Sequence, residues 1–299
     1  MIPQIVHSVI VYVRMLYMEQ HKDIVVIYHD HCQDGFGAAF AAYKKFGDTA
    51  SYIPCSDRVI PPEGLENKEI YILDFSYPED VLLDLEARNK KVVGIDHHIT
   101  AKQAIQSLKE SVFSEEHSGA YLAWEYFVGG DVPKLVGLLE IIDLARNNGE
   151  YTNIIAYILS KPYTFEAYQS LCDELEASDG YNHAEVLGKA QSEYLDLLIE
   201  AIISEPDFAR FEGYTVPCVN FSLPLNEKSI ALKKLYTAYP PFTIGYRFDN
   251  GLLKVSLRGD GSVDLSQIAS KYGGGGHRGA SGFVLPANAP LPFTVVVKK

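Results

Sequence analysis

The sequence has few cysteines and no long apolar segment, and both absences narrow the classes of protein to which it can belong. Its four cysteines form no C-x-x-C pair, which argues against a zinc ribbon and a disulfide framework and favours a reducing, cytoplasmic location. No run reaches the roughly 18 apolar residues of a membrane span. The apolar stretch Ile5 to Tyr17 lacks a basic start and a small-residue cleavage site, so we do not expect a signal peptide.

Positive charge is scarce in the first two thirds of the chain. Residues 1–205 carry 15 Lys+Arg and 33 Asp+Glu, whereas residues 206–299 carry 11 and 6. The net charge of −13 disfavours a protein that coats long nucleic acid. The asymmetry suggests an acidic part that holds metal and a basic part that attracts a small anion, although an ordinary acidic surface would explain the charges alone.

Three short apolar runs predict buried strands that alternate with helices. The predicted strands are Ile24 to Tyr28, Ile70 to Leu73 and Lys91 to Ile95, and the predicted helices are Phe36 to Phe46 and Pro78 to Asn89. Such alternation predicts an α/β domain, with a parallel sheet and helices on both faces. In open α/β sheets, ligands bind at the carboxyl ends of the strands.

The pattern along the chain changes near residue 200, which predicts two domains. Helical periods continue from Ser118 to about Glu205, and short β-rich runs follow, interrupted by one predicted helix. These runs are Tyr214 to Phe221, Phe242 to Phe248 and Leu252 to Leu257, and the helix is Leu265 to Tyr272. We therefore predict an N-terminal extension at 1–23, a first domain at 24–200, and a smaller mixed α/β domain at 207–299.

Acidic and histidine side chains collect at the three predicted strand ends and in one apolar helix. These candidate metal ligands are His29, Asp30, Asp34, Asp74, Asp96, His97, His98 and Asp143. A single strand-end aspartate is commonly a helix cap, but four such clusters at corresponding positions are not explained in that way. Carboxylate oxygens and imidazole nitrogens suit Mn²⁺ or another divalent cation that takes O and N ligands.

The order of these clusters resembles the DHH phosphoesterase superfamily. The segment Gly94-Ile95-Asp96-His97-His98 is similar to the motif that names the family, and the first, second and fourth motifs resemble the segments around His29, Asp74 and Asp143. The run Gly273 to Gly282 resembles the glycine-rich signature of the DHH-associated substrate domain. Ser256-Leu257-Arg258 resembles the strand that precedes that signature.

The resemblance implies a role for each matching residue. Asp74 is expected to bridge two metal ions, His29 to bind the first, and Asp34, His97 and Asp143 to bind the second. His98 is expected to contact the scissile phosphate, and Asp96 to orient a ligand histidine from behind. The expected catalytic residues are thus His98, Asp74 and Asp96. The expected substrate-binding residues are Arg258, Gly274, Gly275, Gly276, His277 and Arg278.

One position departs from the family pattern. The first motif usually carries two aspartates separated by one residue, and here Cys32 stands in the place of the first, with Asp34 in the place of the second. Either Asp30 or His31 compensates, or Cys32 binds metal as a thiolate. The identity and occupancy of the first metal therefore depend on this substitution.

The resemblance implies a metal-dependent phosphodiesterase with a hydrolytic water activated by two cations. We expect two Mn²⁺ ions, with Mg²⁺ or Co²⁺ as substitutes. The first motif is most similar to small oligoribonuclease-like members, so we predict exonucleolytic hydrolysis of short single-stranded oligonucleotides to 5′-mononucleotides by a monomer or homodimer. The alternatives are a phosphatase acting on pAp, a phosphodiesterase acting on cyclic (di)nucleotides, and a catalytically impaired nucleotide-binding protein.

Overall fold

The chain divides into two compact units within its longest helix. A computed structural model describes residues 21–55, 60–147, 149–221 and 225–296, with the backbone alone for 225–228. Residues up to Lys189 belong to one unit, and Ala190–Lys299 belong to the other. The sequence places the boundary just after this helix, between 200 and 207. Of the predicted extension at 1–23, residues 1–20 lie outside the described part of the chain.

The first unit contains a parallel sheet of five strands. The strands are β1 (Ile24–His29), β2 (Ala50–Cys55), β3 (Glu69–Leu73), β4 (Lys91–Asp96) and β5 (Glu110–Phe113). Their order is β2-β1-β3-β4-β5, and every neighbouring pair is parallel. The three strands predicted from apolar runs are therefore confirmed, as β1, β3 and β4.

The two strands that the sequence did not predict are the edges of this sheet. β2 includes Pro54, which lacks the N–H that a central strand needs and is tolerated at an edge. β5 has four residues, and all of them are only partly buried. Neither strand has the continuous apolar run that marks a strand covered on both faces.

The strand order places a topological switch point beside β1. The chain runs from β1 to β2 on one side, and it later returns to β3 on the other side of β1. At such a point the connections that leave neighbouring strands diverge, and a crevice opens at the carboxyl ends of the strands. His29 ends β1 and Asp74 directly follows β3, so both residues lie at this crevice.

Helices cover both faces of the first sheet. They are α1 (Gln33–Phe46), α2 (Glu79–Arg88), α3 (Lys102–Gln106), α4 (Gly119–Phe127), α5 (Lys134–Asp143), α6 (Thr152–Leu159), α7 (Phe165–Glu176) and the first part of α8 (Gly180–Ile203). Successive strand residues point to opposite faces. Val26 accordingly packs in one core with α1 and α4, while Ile27 packs in a second core with Leu82 and Leu85 of α2. This is the predicted α/β architecture.

The second unit contains a mixed sheet of seven strands. The strands are β6 (Asp207–Phe211), β7 (Tyr214–Asn220), β8 (Phe242–Asp249), β9 (Leu252–Gly259), β10 (Gly275–His277), β11 (Ala280–Pro286) and β12 (Thr294–Val296). Their order is β10-β11-β9-β8-β7-β6-β12, with β7 and β8 parallel and the other pairs antiparallel. The predicted strands correspond to β7, β8 and β9, and the predicted helix corresponds to α10 (Leu265–Ser270).

Two helices pack against this mixed sheet. They are α9 (Leu225–Ala238) and α10 (Leu265–Ser270). Leu232 of α9 packs with Phe221 and Ile199, whereas Leu265 of α10 belongs to a separate core with Phe211. Both of the predicted α/β units are therefore present. None of the helices in the described residues is long and apolar enough to cross a membrane.

We predict that the core of the first unit depends strongly on Phe40 of α1. This side chain is 1% exposed, and its ring centroid lies 5.9 Å from that of Tyr168 and 6.4 Å from that of Trp124. Phe40→Ala should lower the free energy of unfolding by about 3–5 kcal/mol, because the cavity cannot close fully. Leu83→Ala on α2 removes a side chain that is 43% exposed, and it should lower the free energy of unfolding far less. Urea unfolding measures the free energy of unfolding of both variants, and an equal decrease in the two would contradict the prediction.

Candidate metal centre

The loop after β1 turns sharply into α1 and brings three candidate ligand side chains to the crevice. His29 ends the strand, Cys32 is the N-cap residue of the helix, and Asp34 lies in its first turn. Gly35 makes this turn compact, because a Cβ at this position would lie 2.3 Å from the carbonyl oxygen of His29. Asp34 is 1% exposed, and its Oδ1 accepts a hydrogen bond from the backbone N–H of Ala120, 3.1 Å away.

Asp74 occupies the centre of the crevice in an unusual backbone conformation. Its φ is +62°, in the left-handed region that few non-glycine residues adopt, and such residues cluster at functional sites. Its side chain is 1% exposed. Oδ2 lies 3.3 Å from Nδ1 of His29, and Oδ1 lies 3.3 Å from Nε2 of His97. Asp74 thus contacts imidazoles on both sides.

Among the described residues, three overlapping groups of candidate ligands surround Asp74. Asp74, Asp96, His97 and His98 form one of them, and the other two are the first and second ligand groups. In the first ligand group, donor atoms of His29, Cys32 and Asp74 lie within 4.8 Å of one another. In the second ligand group, donor atoms of Asp34, His97 and Asp143 likewise lie within 4.8 Å of one another. Nε2 of His97 lies 3.3 Å from Oδ2 of Asp143 and 3.3 Å from Oδ1 of Asp74, so Asp74 contacts both groups.

Asp96 contacts the backbone of His97 and both the backbone and the ring of His98. It is fully buried, and its Oδ1 accepts hydrogen bonds from the backbone N–H groups of His97 and His98, at 2.7 and 3.1 Å. The same oxygen lies 2.7 Å from Nδ1 of His98, and this hydrogen bond raises the pKa of His98. The ring that Asp96 contacts is therefore that of His98, whereas the sequence analysis expected it to orient a ligand histidine. The side chain of His98 is 34% exposed.

The carboxylates at the centre lie so close together that they oppose one another's ionisation unless positive charge is present. Burial raises the pKa of Asp34, and the nearby charges of Asp74 and Asp143 raise it further. Burial likewise raises the pKa of Asp143, and Asp74 adds to the effect. Burial opposes ionisation of Asp74 as well, but the adjacent imidazoles of His29 and His97 outweigh it and lower the pKa of Asp74 to about 2.

Several buried donor atoms at this centre fit a divalent cation. Among the described residues, Oδ2 of Asp34, Oδ1 of Asp74 and Nε2 of His97 are buried and form no hydrogen bond. An unsatisfied buried polar atom costs about 1–3 kcal/mol, and more when it is charged. Carboxylate and imidazole donors are the ligands that Mn²⁺ and related ions accept, so the second ligand group fits such an ion.

The structure distinguishes among the residues considered as replacements for the missing aspartate. Oδ1 of Asp30 accepts a hydrogen bond from the backbone N–H of His31, and its Oδ2 lies 3.3 Å from Nε2 of His31. Neither of these two residues belongs to a ligand group among the described side chains, whereas Cys32 does. Burial raises the pKa of the Cys32 thiol to about 12, and the charge of Asp74 contributes.

The glycine-rich run of the second unit forms an edge hairpin. β10 pairs with β11, and β11 pairs with β9, so that Ala280 lies between His277 and Arg258 across the sheet. A Cβ at Gly274 would lie 2.2 Å from the carbonyl oxygen of Gly282, and one at Gly276 would lie 2.6 Å from that of Ala280. Close packing within the sheet therefore requires these two glycines, whereas Gly275 faces open space.

The cationic residues predicted to bind substrate lie around this hairpin. Arg258 is partly buried and donates to the carbonyl oxygen of Leu257, and burial lowers its pKa. Arg278 is exposed, and its Nε donates to the carbonyl oxygen of Gly261, 2.7 Å away. His277 is exposed as well. The structure thus brings Arg258, Gly275, His277 and Arg278 together within the second unit.

Sequence reasoning did not identify Gly119, which directly follows Ser118, the N-cap residue of α4. A Cβ at Gly119 would lie 2.7 Å from Cβ of Asp74 and 2.9 Å from Oδ2 of Asp34. Only glycine fits between these two carboxylates without displacing one of them. A glycine directly after a helix N-cap is a weak signal in a sequence, and nothing else marks this position.

We predict that Gly119→Ala weakens metal binding without unfolding the protein. The added methyl group must displace Asp74 or Asp34, and a displaced ligand should lower Mn²⁺ affinity by at least about 10-fold. Gly137→Ala is the matched control, because it lies in α5 with nothing within 4 Å of its Cβ. The control should gain about 0.5–1 kcal/mol of stability and keep its affinity. Titration calorimetry measures the Mn²⁺ affinity of both variants. An unchanged affinity in Gly119→Ala would contradict the prediction.

Comparison with known proteins yields similar chains but no family model that matches. Uncharacterized protein R106 of Acanthamoeba polyphaga mimivirus is 27% identical over 304 aligned residues, which cover 91% of this chain and 70% of that protein. Among solved structures, the pGpG-specific phosphodiesterase PggH from Vibrio cholerae is 13% identical with a TM-score of 0.45, covering 89% of this chain and 94% of that chain.

RecJ from Thermus thermophilus, solved in complex with Mn²⁺, is another similar structure. It is 17% identical with a TM-score of 0.44, and the similarity covers 92% of this chain and 51% of that chain. Such low sequence identities and TM-scores do not indicate the activity or the metal of this chain. The resemblance of this chain to the DHH superfamily depends instead on the order of its motif residues, and those residues meet at one edge of one sheet.

Proposed function

We propose that this chain is a divalent-metal-dependent phosphodiesterase of the DHH superfamily. Its substrates are short oligonucleotides, which it hydrolyses from one end to 5′-mononucleotides. The observation that carries the proposal is the position of Asp74, a buried carboxylate in contact with both ligand groups. A carboxylate shared in this way can hold two cations close together, which is the arrangement that serves phosphoryl chemistry.

The proposed metal ligands divide between two positions. His29 and Asp74 would hold the first ion together with Cys32, and Asp34, His97, Asp143 and Asp74 would hold the second. When bound, the two cations lower the pKa of an attacking water and offset the negative charge that develops on the phosphoryl group.

His98 is the residue proposed to contact the scissile phosphate. Its Nδ1 is engaged by Asp96, which fixes the orientation of the ring and favours its protonated form. Nε2–H of the protonated ring can then donate a charge-assisted hydrogen bond to a phosphate oxygen. Asp96 itself is fully buried, so it acts by positioning His98 and the backbone of the motif.

The second unit is proposed to bind the anionic end of the substrate. Residues 206–299, which contain the mixed sheet of the second unit, carry 11 Lys+Arg against 6 Asp+Glu, so this part of the chain attracts anions more than residues 1–205 do. Arg258, His277 and Arg278 supply charged donors, and the backbone at Gly275 is open to close approach. The other two glycines, Gly274 and Gly276, support the hairpin that presents these groups.

Short substrates suit this charge distribution better than long ones. A protein with a net charge of −13 gains little from a long polyanion, because its overall charge repels one. We also find no continuous track of basic and aromatic residues for an extended single strand.

We predict that the full-length protein with Mn²⁺ hydrolyses dinucleotides to tetranucleotides faster than a 20-mer. Each product should be a 5′-mononucleotide, separated by chromatography of end-labelled substrates. Parallel reactions with pAp and with cyclic dinucleotides distinguish the alternative activities by phosphate release or ring opening. No cleavage of any substrate shorter than five nucleotides would contradict the proposal, and nucleotide binding without turnover would favour the catalytically impaired alternative.

We predict a large and specific loss of activity in Asp143→Asn. The amide removes a charged oxygen donor from the second ligand group, so kcat/KM should fall by at least about 100-fold in the presence of Mn²⁺. Asp131→Asn is the control, because Asp131 is an exposed residue in the loop before α5. It should retain the activity of the wild type. Comparable activity in both variants would show that Asp143 is not a ligand.

A further inference from the structure

The two ligand groups differ in donor chemistry. The second ligand group, with the adjacent Asp74, offers carboxylate oxygens and one imidazole nitrogen. The first ligand group offers one imidazole nitrogen, one carboxylate oxygen and the sulfur of Cys32. Because sulfur and oxygen donors select different cations, the two positions should not prefer the same ion.

The geometry of the first ligand group supports sulfur ligation. Donor atoms of His29, Cys32 and Asp74 all lie within 4.8 Å of one another, which lets them surround one cation after small adjustments. Asp74 is 1% exposed, and its Oδ2 lies 3.3 Å from Nδ1 of His29. The thiol therefore belongs to a ligand group that contains a buried carboxylate beside an imidazole.

No other cysteine lies in such a ligand group among the residues that the structure describes. Sγ of Cys55 lies 3.1 Å from the hydroxyl of Tyr77, in the core on the other face of the sheet. Cys172 packs against the core of the first unit, and Cys218 is buried in the second unit. Among the described residues, Cys32 is the cysteine that belongs to a ligand group.

Thiolate ligands select borderline and soft cations such as Zn²⁺ and Co²⁺, whereas sites made of carboxylates suit Mn²⁺ and Mg²⁺. Three protein ligands with one open position for water are also the usual composition of a catalytic zinc site. The first ligand group offers three protein ligands that would hold such an ion. The second has the composition of a manganese or magnesium site.

We propose that the centre is asymmetric, with a thiophilic cation, Zn²⁺ or Co²⁺, bound through Cys32 at the first position and Mn²⁺ or Mg²⁺ at the second. Cys32 is therefore the residue that sets the metal preference of the first position. This inference rests on the two-metal centre of the proposed function, but it concerns metal selection and is tested without substrate.

The first test is the absorption spectrum of the cobalt-loaded protein. The full-length chain, stripped of metal with a chelator, is titrated with Co²⁺ at constant pH. A thiolate bound to Co²⁺ gives an intense charge-transfer band in the near ultraviolet, and we expect it to saturate at about one equivalent. The band should be absent in Cys32→Ser and Cys32→Asp, and present at wild-type intensity in Cys172→Ser.

The second test is competition between two ions. Wild-type protein dialysed against Zn²⁺ with a large excess of Mn²⁺ should retain one zinc per chain, as measured by elemental analysis. Cys32→Asp supplies an oxygen donor instead, so its preference for Zn²⁺ over Mn²⁺ at this position should fall by at least about 10-fold. Circular dichroism checks that each variant is folded. If a variant misfolds, the wild-type spectrum and zinc retention decide by themselves.

The proposal is overturned if the wild type binds Co²⁺ without the charge-transfer band, or binds none, or if wild type and Cys32→Asp select the same ions. The proposed function has a separate outcome. Hydrolysis of short oligonucleotides without sulfur ligation leaves the activity standing and removes the asymmetric centre. Sulfur ligation without hydrolysis of any nucleotide supports the asymmetric centre and contradicts the proposed function.

Discussion

Three aspartate side chains lie almost wholly out of water at one edge of the first sheet, and their charge must be compensated there. Asp34, Asp74 and Asp96 are each at most 1% exposed. Taking a carboxylate out of water costs several kcal/mol unless it is paired, hydrogen-bonded or bound to metal. Oδ1 of Asp96 meets this requirement with two backbone N–H groups and the ring of His98, whereas its Oδ2 forms no hydrogen bond. Asp34 and Asp74 each keep one oxygen without a hydrogen bond as well, and a cation would complement these buried carboxylates.

Much of the surrounding structure follows from bringing these carboxylates together. The strand order opens a crevice between β1 and β3, and the left-handed conformation of Asp74 directs the chain across it. Gly35 and Gly119 allow backbone to approach where a methyl group would collide. Four alanines of α1 are buried, so this helix packs tightly on the sheet and holds Asp34 in place. The strain at Asp74 is tolerated because packing on all sides fixes it.

The sequence predicted the centre of the first unit better than its edges. Fully buried strands such as β3 are continuous apolar runs, whereas β2 and β5 are half exposed and resemble loops in composition. Asp143 could be identified because a carboxylate in an apolar helix is conspicuous. Gly119 could not, because its importance depends on two carboxylates that are distant in sequence and meet only in the fold.

The glycine run shows a different limit of sequence reasoning. Its composition suggested backbone groups open to an anion, but Gly274 and Gly276 are required mainly by close packing against β11, and only Gly275 faces open space. The exchange of aspartate for Cys32 was visible in the sequence, whereas the choice among Asp30, His31 and Cys32 needed the positions of their donor atoms. Local patterns thus identified the residue types, and tertiary structure decided which of them meet.

The central claim is that Asp74 lies between two bound cations. Anomalous diffraction from crystals of the protein grown with both Mn²⁺ and Zn²⁺ tests it most directly, because each bound ion gives its own peak. We expect two peaks, with the Asp74 carboxylate between them. One should lie beside His29 and the other beside His97 and Asp143. A single peak, or peaks remote from Asp74, would contradict it.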